Sequence, residues 1–399
     1  MQSQSVLQGI RVLDMTEALA GPYCTMLLGD LGAEVLKIER PGAGDMSRGW
    51  APPFVGQESA YFVSVNRNKR SITLNLKHAE AQAILHKLAR QSDVFVVNQP
   101  SLDSLRKLKA DPDTLRGLNP RLIYCAISGY GMTGPYAGQS GYDLVAQAQS
   151  GLMAMTGEPD QGPMRYPTPL SDATAGVYSV IGILSALLAR ERTGQGQFLD
   201  VALLDGQVAW LTNLAGSYFA TGQRPKKLGN AHPNIVPYQP FKARDKYLIV
   251  AVGSERLWER FCQALEIAGT VGKDPRFTTN ADRLRHRAEL VSLLEQVFCQ
   301  RDAEYWLERL RAADIPSGPI NEVDEILNDP HIKAREMIVE LTHSTAGQVR
   351  SLGNPVHLDE TPVSYRLAPP TLGQHTSEVL EQLGYGAGDI ERLRSEGAI

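Results

Sequence analysis

Strand-like and helix-like segments alternate over the first two hundred residues, and this alternation restricts the possible folds more than any other feature of the sequence. Apolar or β-branched runs predict strands at residues 10–14, 34–38, 71–76, 93–98, 122–128 and 198–204. Between these runs, residues 21–31, 79–90 and 177–189 have the composition or spacing of helices. This order predicts an α/β fold in which parallel strands carry helices on both faces.

The character of the sequence changes near residues 222–227, where Gly, Pro and Lys residues predict a linker. A second α/β unit is expected beyond it, with a strand at 246–252 and helices at 255–266, 283–299 and 303–313. Two strand-like runs and a helix follow residue 337, and such a tail could rejoin the first unit. We therefore predict that the chain divides into residues 1–222, 223–334 and 335–399.

Composition and charge exclude several classes of protein. With 43% hydrophobic and 21% charged residues, the 399-residue chain is typical of a soluble globular protein. The net charge of −4 gives no reason to expect binding to nucleic acid or to an anionic membrane. The apolar run 177–189 is shorter than the ~20 residues that span a bilayer. Residues 1–5 lack the basic and apolar regions of a signal peptide.

The cysteines and histidines make no recognisable metal or redox motif. Cys24, Cys125, Cys262 and Cys299 are widely separated and form no CxxC pair, which is typical of reduced core residues in a cytoplasmic protein. The eight histidines form neither an HExxH motif nor a cluster with cysteine. We therefore expect no metal site built by the protein.

Asp172 is the strongest candidate for a reactive residue. It lies immediately before the apolar segment 177–189, at or next to the start of a predicted helix. The free N–H groups and the macrodipole at a helix N-terminus favour an ionised carboxylate. The four residues that follow Asp172 are small, which leaves room for a ligand. An ionised and approachable carboxylate can be a covalent nucleophile, although the same position also suits an ordinary N-capping aspartate.

Residues 129–134 match the pattern GxGxxG and follow a predicted strand, as in a dinucleotide-binding fold. In that fold the pattern opens a helix whose N-terminus holds the pyrophosphate. Here residues 135–141 have the composition of a loop. A nicotinamide or flavin site is therefore not the favoured interpretation, and neither a P-loop nor a GxSxG motif is present.

Two basic segments, residues 37–40 and 66–70, lie at predicted strand ends beside loops. Such positions suit a phosphate-bearing ligand, since arginine makes bidentate contacts with phosphate. The alternative for each segment is a solvated basic turn.

Taken together, these segments resemble the class III CoA-transferases, the superfamily of formyl-CoA transferase and carnitine CoA-transferase. The matching residues run in order along nearly the whole chain: 13–22, 29–40, 44–45, 68–72, 129–135, 141–143, 169–176, 193–197 and 372–376. The resemblance implies a protomer with a large Rossmann-like domain built from both chain ends and a smaller α/β domain. It also implies that two protomers interlock into a homodimer.

The resemblance assigns Asp172 the role of nucleophile toward an acyl-CoA thioester. The expected steps are an aspartyl–acyl anhydride, an aspartyl-CoA thioester, and transfer of CoA to an acceptor carboxylic acid. No permanently bound cofactor is implied, because the CoA thioester is itself a substrate. By position in the motifs, the CoA contacts would be Leu19, Ala20, Arg40, Leu74, Asn98, Arg106 and Tyr142. Arg40 would meet the CoA phosphates or the adenine edge.

Residues 52–56, 229–238 and 318–321 resemble the succinyl-CoA:glutarate (hydroxymethylglutarate) branch more than formyl-CoA transferase, which has a run of glycines in place of residues 229–238. Two substrate-binding residues are implied, His232 and Arg165. Arg165 would pair with the second carboxylate of a dicarboxylic acyl group. Its alternative role is to support the loop or to pair with a nearby acid.

Two rival functions share parts of this pattern. The α-methylacyl-CoA racemases have the same fold but use a histidine in a Gly-His-Asp segment, where this chain has Gly141-Tyr142-Asp143. A tyrosine with a pKa near 10 is a poor base at neutral pH. A non-catalytic CoA-binding protein is the other alternative, and the presence of Asp172 speaks against it.

Overall fold

The structure, a computed structural model, describes residues 5–99 and 101–399. The strands are β1 (Arg11–Met15), β2 (Glu34–Glu39), β3 (Phe54–Val55), β4 (Glu58–Ser59), β5 (Lys69–Thr73), β6 (Val94–Val97), β7 (Ile123–Ser128), β8 (Phe198–Ala202), β9 (Tyr238–Lys242), β10 (Tyr247–Ala251), β11 (Ser317–Pro319), β12 (Ile338–His343) and β13 (Gly347–Leu352).

The helices are α1 (Ala20–Asp30), α2 (Ala60–Ser64), α3 (Ala79–Arg90), α4 (Leu102–Lys107), α5 (Pro112–Leu118), α6 (Asp143–Gln149), α7 (Leu152–Met155), α8 (Leu170–Thr193), α9 (Leu203–Ala209), α10 (Thr212–Thr221), α11 (Glu255–Ala264), α12 (Asn280–Arg285), α13 (Arg287–Phe298), α14 (Ala303–Ala312), α15 (Val323–Asn328), α16 (Pro330–Ala334), α17 (Thr376–Gln382) and α18 (Ala387–Ser395).

The chain forms two compact units, and each is made of separate stretches of sequence. The first unit comprises Met1–Met153, Arg165–Thr221 and Pro330–Ile399. The second unit comprises Ala154–Met164 and Gly222–Asp329. The division into domains that the sequence predicts, at 222/223 and 334/335, remains a prediction.

A six-stranded sheet organises the first unit, in the order β5-β2-β1-β6-β7-β8. Every neighbouring pair in it is parallel. All residues of β6 and β7 are buried, as expected for central strands that are covered on both faces. The structure thereby confirms the predicted α/β class with a parallel sheet.

Apolar side chains cover both faces of the sheet because successive strand residues point to opposite sides. On one face, Leu13 and Phe95 belong to a core that includes residues of α3 and α17. On the other face, Val12 and Val94 belong to a core that includes residues of α1 and α8. The helix α8 is therefore packed against the sheet along one side.

The edge strand β5 is covered by the C-terminal part of the chain. The backbone N–H of Ser71 donates to His375 Nδ1 at 3.1 Å, and the backbone N–H of His375 donates to the carbonyl oxygen of Ser71 at 2.9 Å. The N–H of Thr73 donates to Thr376 Oγ1 at 3.1 Å. The segment near residue 375 thus packs along the edge of the sheet that contains β1, the first strand of the chain.

Residues 66–69 of the basic segment 66–70 are buried, and Arg70, whose side chain is 28% exposed, pairs with Glu378 at 3.0 Å, so neither a ligand-facing segment nor a solvated turn describes the segment as a whole. Arg67 is 1% exposed and lies 2.6 Å from Asp30. Lys69 is fully buried and lies 2.9 Å from Asp14. These cations stabilise the fold through paired carboxylates and do not face a ligand.

The second unit has its own antiparallel sheet and core. Its strands pair in the order β11-β10-β9. Phe241, Phe261, Phe298 and Trp306 form the aromatic part of the core against this sheet. The predicted strand at 246–252 and the predicted helices at 255–266 and 303–313 correspond to β10, α11 and α14.

The helix α8 is longer than the sequence predicts, because it begins at Leu170 and ends at Thr193. By length and composition alone it could cross a membrane. The core helix of a soluble protein can have the same length and composition. The sequence analysis considered only the run 177–189, and it therefore underestimated the length of this apolar helix.

Candidate active site

The order of the sheet creates a crevice between β1 and β6. From β1 the chain passes outward to β2 and β5, and it then returns to β6 and continues in the opposite direction. The loops that follow Met15 and Val97, which are register partners, therefore diverge at the carboxyl edge of the sheet. Ligands of open α/β sheets bind at such a switch point.

Glu17 and Asn98 join the two diverging loops. The backbone N–H of Glu17 donates to Asn98 Oδ1 at 3.0 Å, and Asn98 Nδ2 donates to the carbonyl oxygen of Glu17 at 2.7 Å. Both hydrogen bonds use the backbone of Glu17, so its carboxylate remains available for other contacts. The base of the crevice is therefore held by a short polar bridge.

A cavity of about 200 Å³, here called the first cavity, opens beside this bridge. Its walls come from the loops after β1, β6 and β7 and from the starts of helices α1 and α8. The lining residues are Glu17, Ala18, Leu19, Ala20, Met46, Trp50, Asn98, Gln99, Ile127, Ser128, Gly129, Ser140, Gly141, Tyr142, Asp172 and Leu203.

A second cavity of about 230 Å³ lies next to the first one. Its lining residues are Met15, Glu17, Ile38, Glu39, Arg40, Leu74, Asn75, Leu76, Lys77, Gln99 and Leu108. The two cavities share Glu17 and Gln99. Together they offer an extended ligand a place along the carboxyl edge of the sheet.

The structure brings most of the predicted site residues to these two cavities. Leu19, Ala20, Asn98, Tyr142 and Asp172 line the first cavity. Arg40 and Leu74 line the second one.

Three predicted residues lie outside both linings. Arg106 is exposed on α4 and pairs with Asp103 at 2.9 Å. Arg165 is exposed in the segment before α8. His232 lies in the second unit, where its Nδ1 accepts the backbone N–H of Asn234 at 3.1 Å. The roles of these three residues stay predictions.

Asp172 lies in the first turn of α8 and is partly buried. Burial raises the pKa of its carboxyl group to about 7, and the nearby carboxylate of Asp143 adds to the increase. The sequence led us to expect that the helix N-terminus would favour the ionised form. Burial and like-charge repulsion outweigh that effect, so Asp172 is a more basic carboxylate than expected.

Asp143 holds the start of α8 in place. Its Oδ1 accepts the backbone N–H of Ser171 at 2.7 Å, and its Oδ2 accepts Gln147 Nε2 at 2.7 Å. Gln147 Oε1 in turn accepts the backbone N–H of Tyr166 at 2.9 Å. This chain of hydrogen bonds fixes the segment that leads into Asp172, because α8 has no side-chain cap of its own.

The first glycine of the GxGxxG pattern, Gly129, packs closely against a second backbone segment at Gly141. A Cβ atom on Gly129 would lie 2.6 Å from the Cα of Gly141, and a Cβ atom on Gly141 would lie 2.7 Å from the Cα of Gly129. Only glycine permits this approach. The next helix begins at Asp143 and not at the pattern, so the glycines bring Tyr142 to the cavity wall.

Two aromatic residues near Asp172 were missed by the sequence analysis. Trp50 lines the first cavity and meets Tyr61 edge to face, with the ring centroids 4.8 Å apart. Burial raises the pKa of the Tyr61 hydroxyl to about 12, and the carboxylates of Asp172 and Asp143 contribute. Tyr61 is therefore neutral at physiological pH and can donate a hydrogen bond. It lies close enough to Asp172 and Asp143 to interact electrostatically with both.

Buried charges support the loop after β1. Lys37 Nζ lies 2.8 Å from Asp45 Oδ2 and donates to the carbonyl oxygen of Thr16 at 2.7 Å. Asp45 Oδ1 accepts the backbone N–H of Ala18 at 3.0 Å, and Ala18 has a left-handed φ of 69°. Of the two cations in the segment 37–40, Arg40 lines a cavity, whereas Lys37 stabilises a strained turn in the cavity wall.

Among residues 5–99 and 101–399, no group of three or more His, Cys, Asp or Glu side chains could hold a metal ion. The candidate chemistry of the site comes from a basic carboxylate, a phenol and backbone N–H groups at helix starts.

Comparison with known proteins identifies the family. The family model for CoA-transferase family III matches residues 7–376. The chain belongs to CoA-transferase family III. The resemblance that the sequence motifs predicted is confirmed, and the chain is an enzyme of this class.

Two curated relatives illustrate the similarity. The succinyl-CoA:glutarate CoA-transferase of Mus musculus is 41% identical over 398 residues, which cover 100% of this chain and 91% of the relative. The acetyl-CoA:oxalate CoA-transferase of Acetobacter aceti is 41% identical over 352 residues, which cover 88% of each protein.

A solved structure shows the same fold in this family. The crystal structure of a CAIB/BAIF family protein from Brucella suis matches with a TM-score of 0.87 and 39% identity. The match covers 95% of this family III CoA-transferase and 100% of the Brucella chain.

Proposed function

We propose that the enzyme transfers CoA from a dicarboxylic acyl-CoA, such as succinyl-CoA, to a dicarboxylic acid, such as glutarate, with Asp172 as the nucleophile. The observation that carries this proposal is the place of Asp172 in the wall of the first cavity, next to a second cavity that contains Arg40. An acyl-CoA is long enough to occupy both cavities.

CoA is assigned to the two cavities by charge. Arg40 and Lys77 line the second cavity, which suits the phosphate-bearing end of CoA. The first cavity has the carboxyl groups of Asp172 and Glu17 beside aromatic and small residues and no cationic side chain in its lining, which suits the thioester end. Leu19 and Ala20 lie where α1 begins, and free backbone N–H groups there can donate to carbonyl oxygens of the ligand.

Asp172 has the chemistry that a thioester exchange needs. Its carboxylate attacks the acyl carbon, the C–S bond breaks, and an aspartyl–acyl anhydride and a CoA thiolate form. The thiolate then attacks the aspartyl carbon and releases the donor acid, which leaves an aspartyl-CoA thioester. The acceptor carboxylate repeats the exchange in reverse. A pKa of about 7 makes the ionised Asp172 a stronger nucleophile than an ordinary carboxylate.

The choice of a dicarboxylic substrate rests on relatives and on Arg165. The mouse relative is named for succinyl-CoA and glutarate, and the Acetobacter relative for acetyl-CoA and oxalate, so both acceptors in these names are dicarboxylic. Arg165 has no ion-pair partner among the residues that the structure describes, and it lies seven positions before Asp172. We assign to Arg165 and His232 the binding of the acyl or acceptor group.

We also propose an interlocked homodimer. Several apolar side chains of α8 are exposed, among them Ile181 at 53% and Leu188 at 65%. Phe219 of α10 is 82% exposed. Apolar surface of this extent is usually covered by a partner, and a second copy agrees with the family resemblance. A cytoplasmic location, no permanently bound cofactor, and no membrane or nucleic-acid partner complete the proposal.

The racemase alternative receives no support from the cavity walls. Tyr142 lines the first cavity where a racemase would carry histidine, and neither lining contains a histidine. In D2O, the enzyme should move CoA to the acceptor without adding deuterium at the α-carbon beyond the enzyme-free control. Deuterium uptake without CoA transfer would favour the racemase.

The test of the proposed function is a matrix of donors and acceptors. Succinyl-CoA, glutaryl-CoA and acetyl-CoA would each be combined with mono- and dicarboxylic acids, and the products identified by mass spectrometry. Hydroxylamine should inactivate the enzyme only in the presence of acyl-CoA, with the modification on the peptide that contains Asp172. A non-catalytic CoA-binding protein would bind CoA but give no product with any pair.

A further inference from the structure

Glu17 forms an ion pair with Arg40 at the junction of the two cavities. Arg40 Nη2 lies 3.0 Å from Glu17 Oε1 and 3.4 Å from Oε2. The Glu17 side chain is 21% exposed, whereas the Arg40 side chain is 63% exposed. The carboxylate thus belongs to the wall of both cavities, and the more exposed cation lines the second cavity.

The two partners differ in how firmly they are held. Both hydrogen bonds between Glu17 and Asn98 use the backbone of Glu17, so this residue is fixed at the bridge. In the stretches 5–99 and 101–399, the guanidinium group of Arg40 pairs with Glu17 alone. Arg40 can therefore turn away from the pair toward a ligand, while Glu17 stays at the junction.

Among the charged groups that act on Glu17, Arg40 is the one cation that pairs with its carboxylate. The charged groups that act on Glu17 are Arg40, Asp45 and Lys37. Lys37 already pairs with Asp45 at 2.8 Å. Burial raises the pKa of Glu17 and Asp45 adds to this effect, while Arg40 and Lys37 oppose it. When Arg40 leaves, Glu17 is a partly buried carboxylate next to an anionic ligand.

We propose that Glu17 sets the affinity of the enzyme for CoA by competing with a phosphate group of CoA for Arg40. This inference rests on the proposed function, because it takes CoA as the ligand and Arg40 as a phosphate contact. The carboxylate withholds the cation in the empty site and repels the bound phosphate. Since every substrate and product thioester carries the same CoA group, a weaker hold on that group speeds product release without changing the choice of acyl group.

The test is calorimetric titration of the full-length enzyme with free CoA. Glu17→Gln keeps the size of the side chain and removes its charge, and it should bind CoA about 2- to 10-fold more tightly than the wild type. In an Arg40→Met background, the same substitution should give little or no gain. In a Lys77→Met background, which removes the other cation of the second cavity, the gain should persist.

Pantetheine, which lacks phosphate groups, provides a further control, and its binding should not respond to Glu17→Gln. In the transfer assay, Glu17→Gln should lower the KM for acyl-CoA without raising kcat. Weaker or unchanged CoA binding by Glu17→Gln would overturn the inference, and so would a gain of equal size in the Arg40→Met background or with pantetheine. If the wild-type enzyme did not bind CoA at all, both the proposed function and this inference would fail.

Discussion

The carboxylate of Asp143 accepts the backbone N–H of Ser171 at 2.7 Å, one residue before Asp172. Asp143 therefore positions the first turn of α8, which carries Asp172. The same proximity makes Asp143 one cause of the raised pKa of Asp172. Asp143 thus affects both the location and the basicity of the proposed nucleophile.

We expect Asp172→Asn and Asp172→Ala to abolish CoA transfer while the protein remains folded. Each substitution removes the carboxylate nucleophile, and Asn does so with almost no change in volume. Product formation would be followed by mass spectrometry and folding by circular dichroism. Trace activity that grows with storage of Asp172→Asn would indicate deamidation, whereas stable turnover by the Ala variant would show that another group is the nucleophile.

The rate of the first acyl transfer should fall as the pH decreases below about 7, because only the ionised form of Asp172 attacks the thioester. Asp143→Asn keeps an oxygen that can accept the Ser171 N–H but removes the repelling charge. Its rate profile should therefore move to lower pH. Single-turnover measurements between pH 5 and 9 would show this, with Asp113→Asn, a change at an exposed position on α5, as the control. If the pH–rate profile of Asp143→Asn did not move, Asp143 would not be a cause of the raised pKa of Asp172.

Asp172→Asn should also stabilise the folded enzyme at neutral and alkaline pH. The folded pKa of Asp172 is raised above its unfolded value of about 4, so the ionised group destabilises the fold. This cost is absent below about pH 4, grows up to about pH 7 and is constant above it. Since the carboxyl group keeps some solvent contact, we expect a gain of about 1–3 kcal/mol at pH 8. Urea unfolding at pH 4 and 8 would measure it, and equal stability of the two proteins at pH 8 would contradict the raised pKa.

If Arg165 binds the distal carboxylate of the substrate, Arg165→Met should raise the KM for succinyl-CoA by about 10- to 150-fold, since a lost charge-assisted hydrogen bond costs ~1.5–3 kcal/mol. The KM for acetyl-CoA should change little. Arg165→Lys keeps the charge and should recover part of the loss. Equal losses with both thioesters would instead indicate that Arg165 supports the loop.

The proposed dimer should persist at nanomolar concentration and in high salt, because interlocked chains cannot separate without unfolding. Analytical ultracentrifugation of the dilute enzyme would report its mass, and denaturation would be followed in parallel by fluorescence. Loss of the dimer should coincide with unfolding. A folded monomer at any concentration would exclude an interlocked assembly.

The sequence predicted the regular parts of the fold because their patterns are local. The bounds predicted for α3, residues 79–90, agree with the structure, since its apolar and polar residues alternate with clear helical spacing. The start of α8 was predicted seven residues too late. Its first turns contain small residues such as Ser171 and Ala175, which are buried by tertiary packing and carry no hydrophobic signal of their own.

The candidate site was predictable only where motifs encode it. Tyr142 lies in a family segment, Asn98 was assigned by its position relative to the family motifs, and both line the first cavity. Tyr61 and Glu17 were missed, because the electrostatic interaction of Tyr61 with Asp172 and the ion pair of Glu17 with Arg40 join segments that are distant in sequence. The basicity of Asp172 could not be read from the sequence either, since it depends on burial and on the approach of Asp143.

The buried charges beneath the cavity wall also limit how this sequence can change. Asp14 faces both Lys37 and Lys69, and although burial alone would raise its pKa, these two cations lower it. Replacing any one of these residues would strand an opposite charge in the core, which costs several kcal/mol. Random single substitutions at these positions should therefore be lost in a selection for folded protein. Variants that survive the selection should carry compensating substitutions at both members of an ion pair. The paired charges should therefore change together in the sequence.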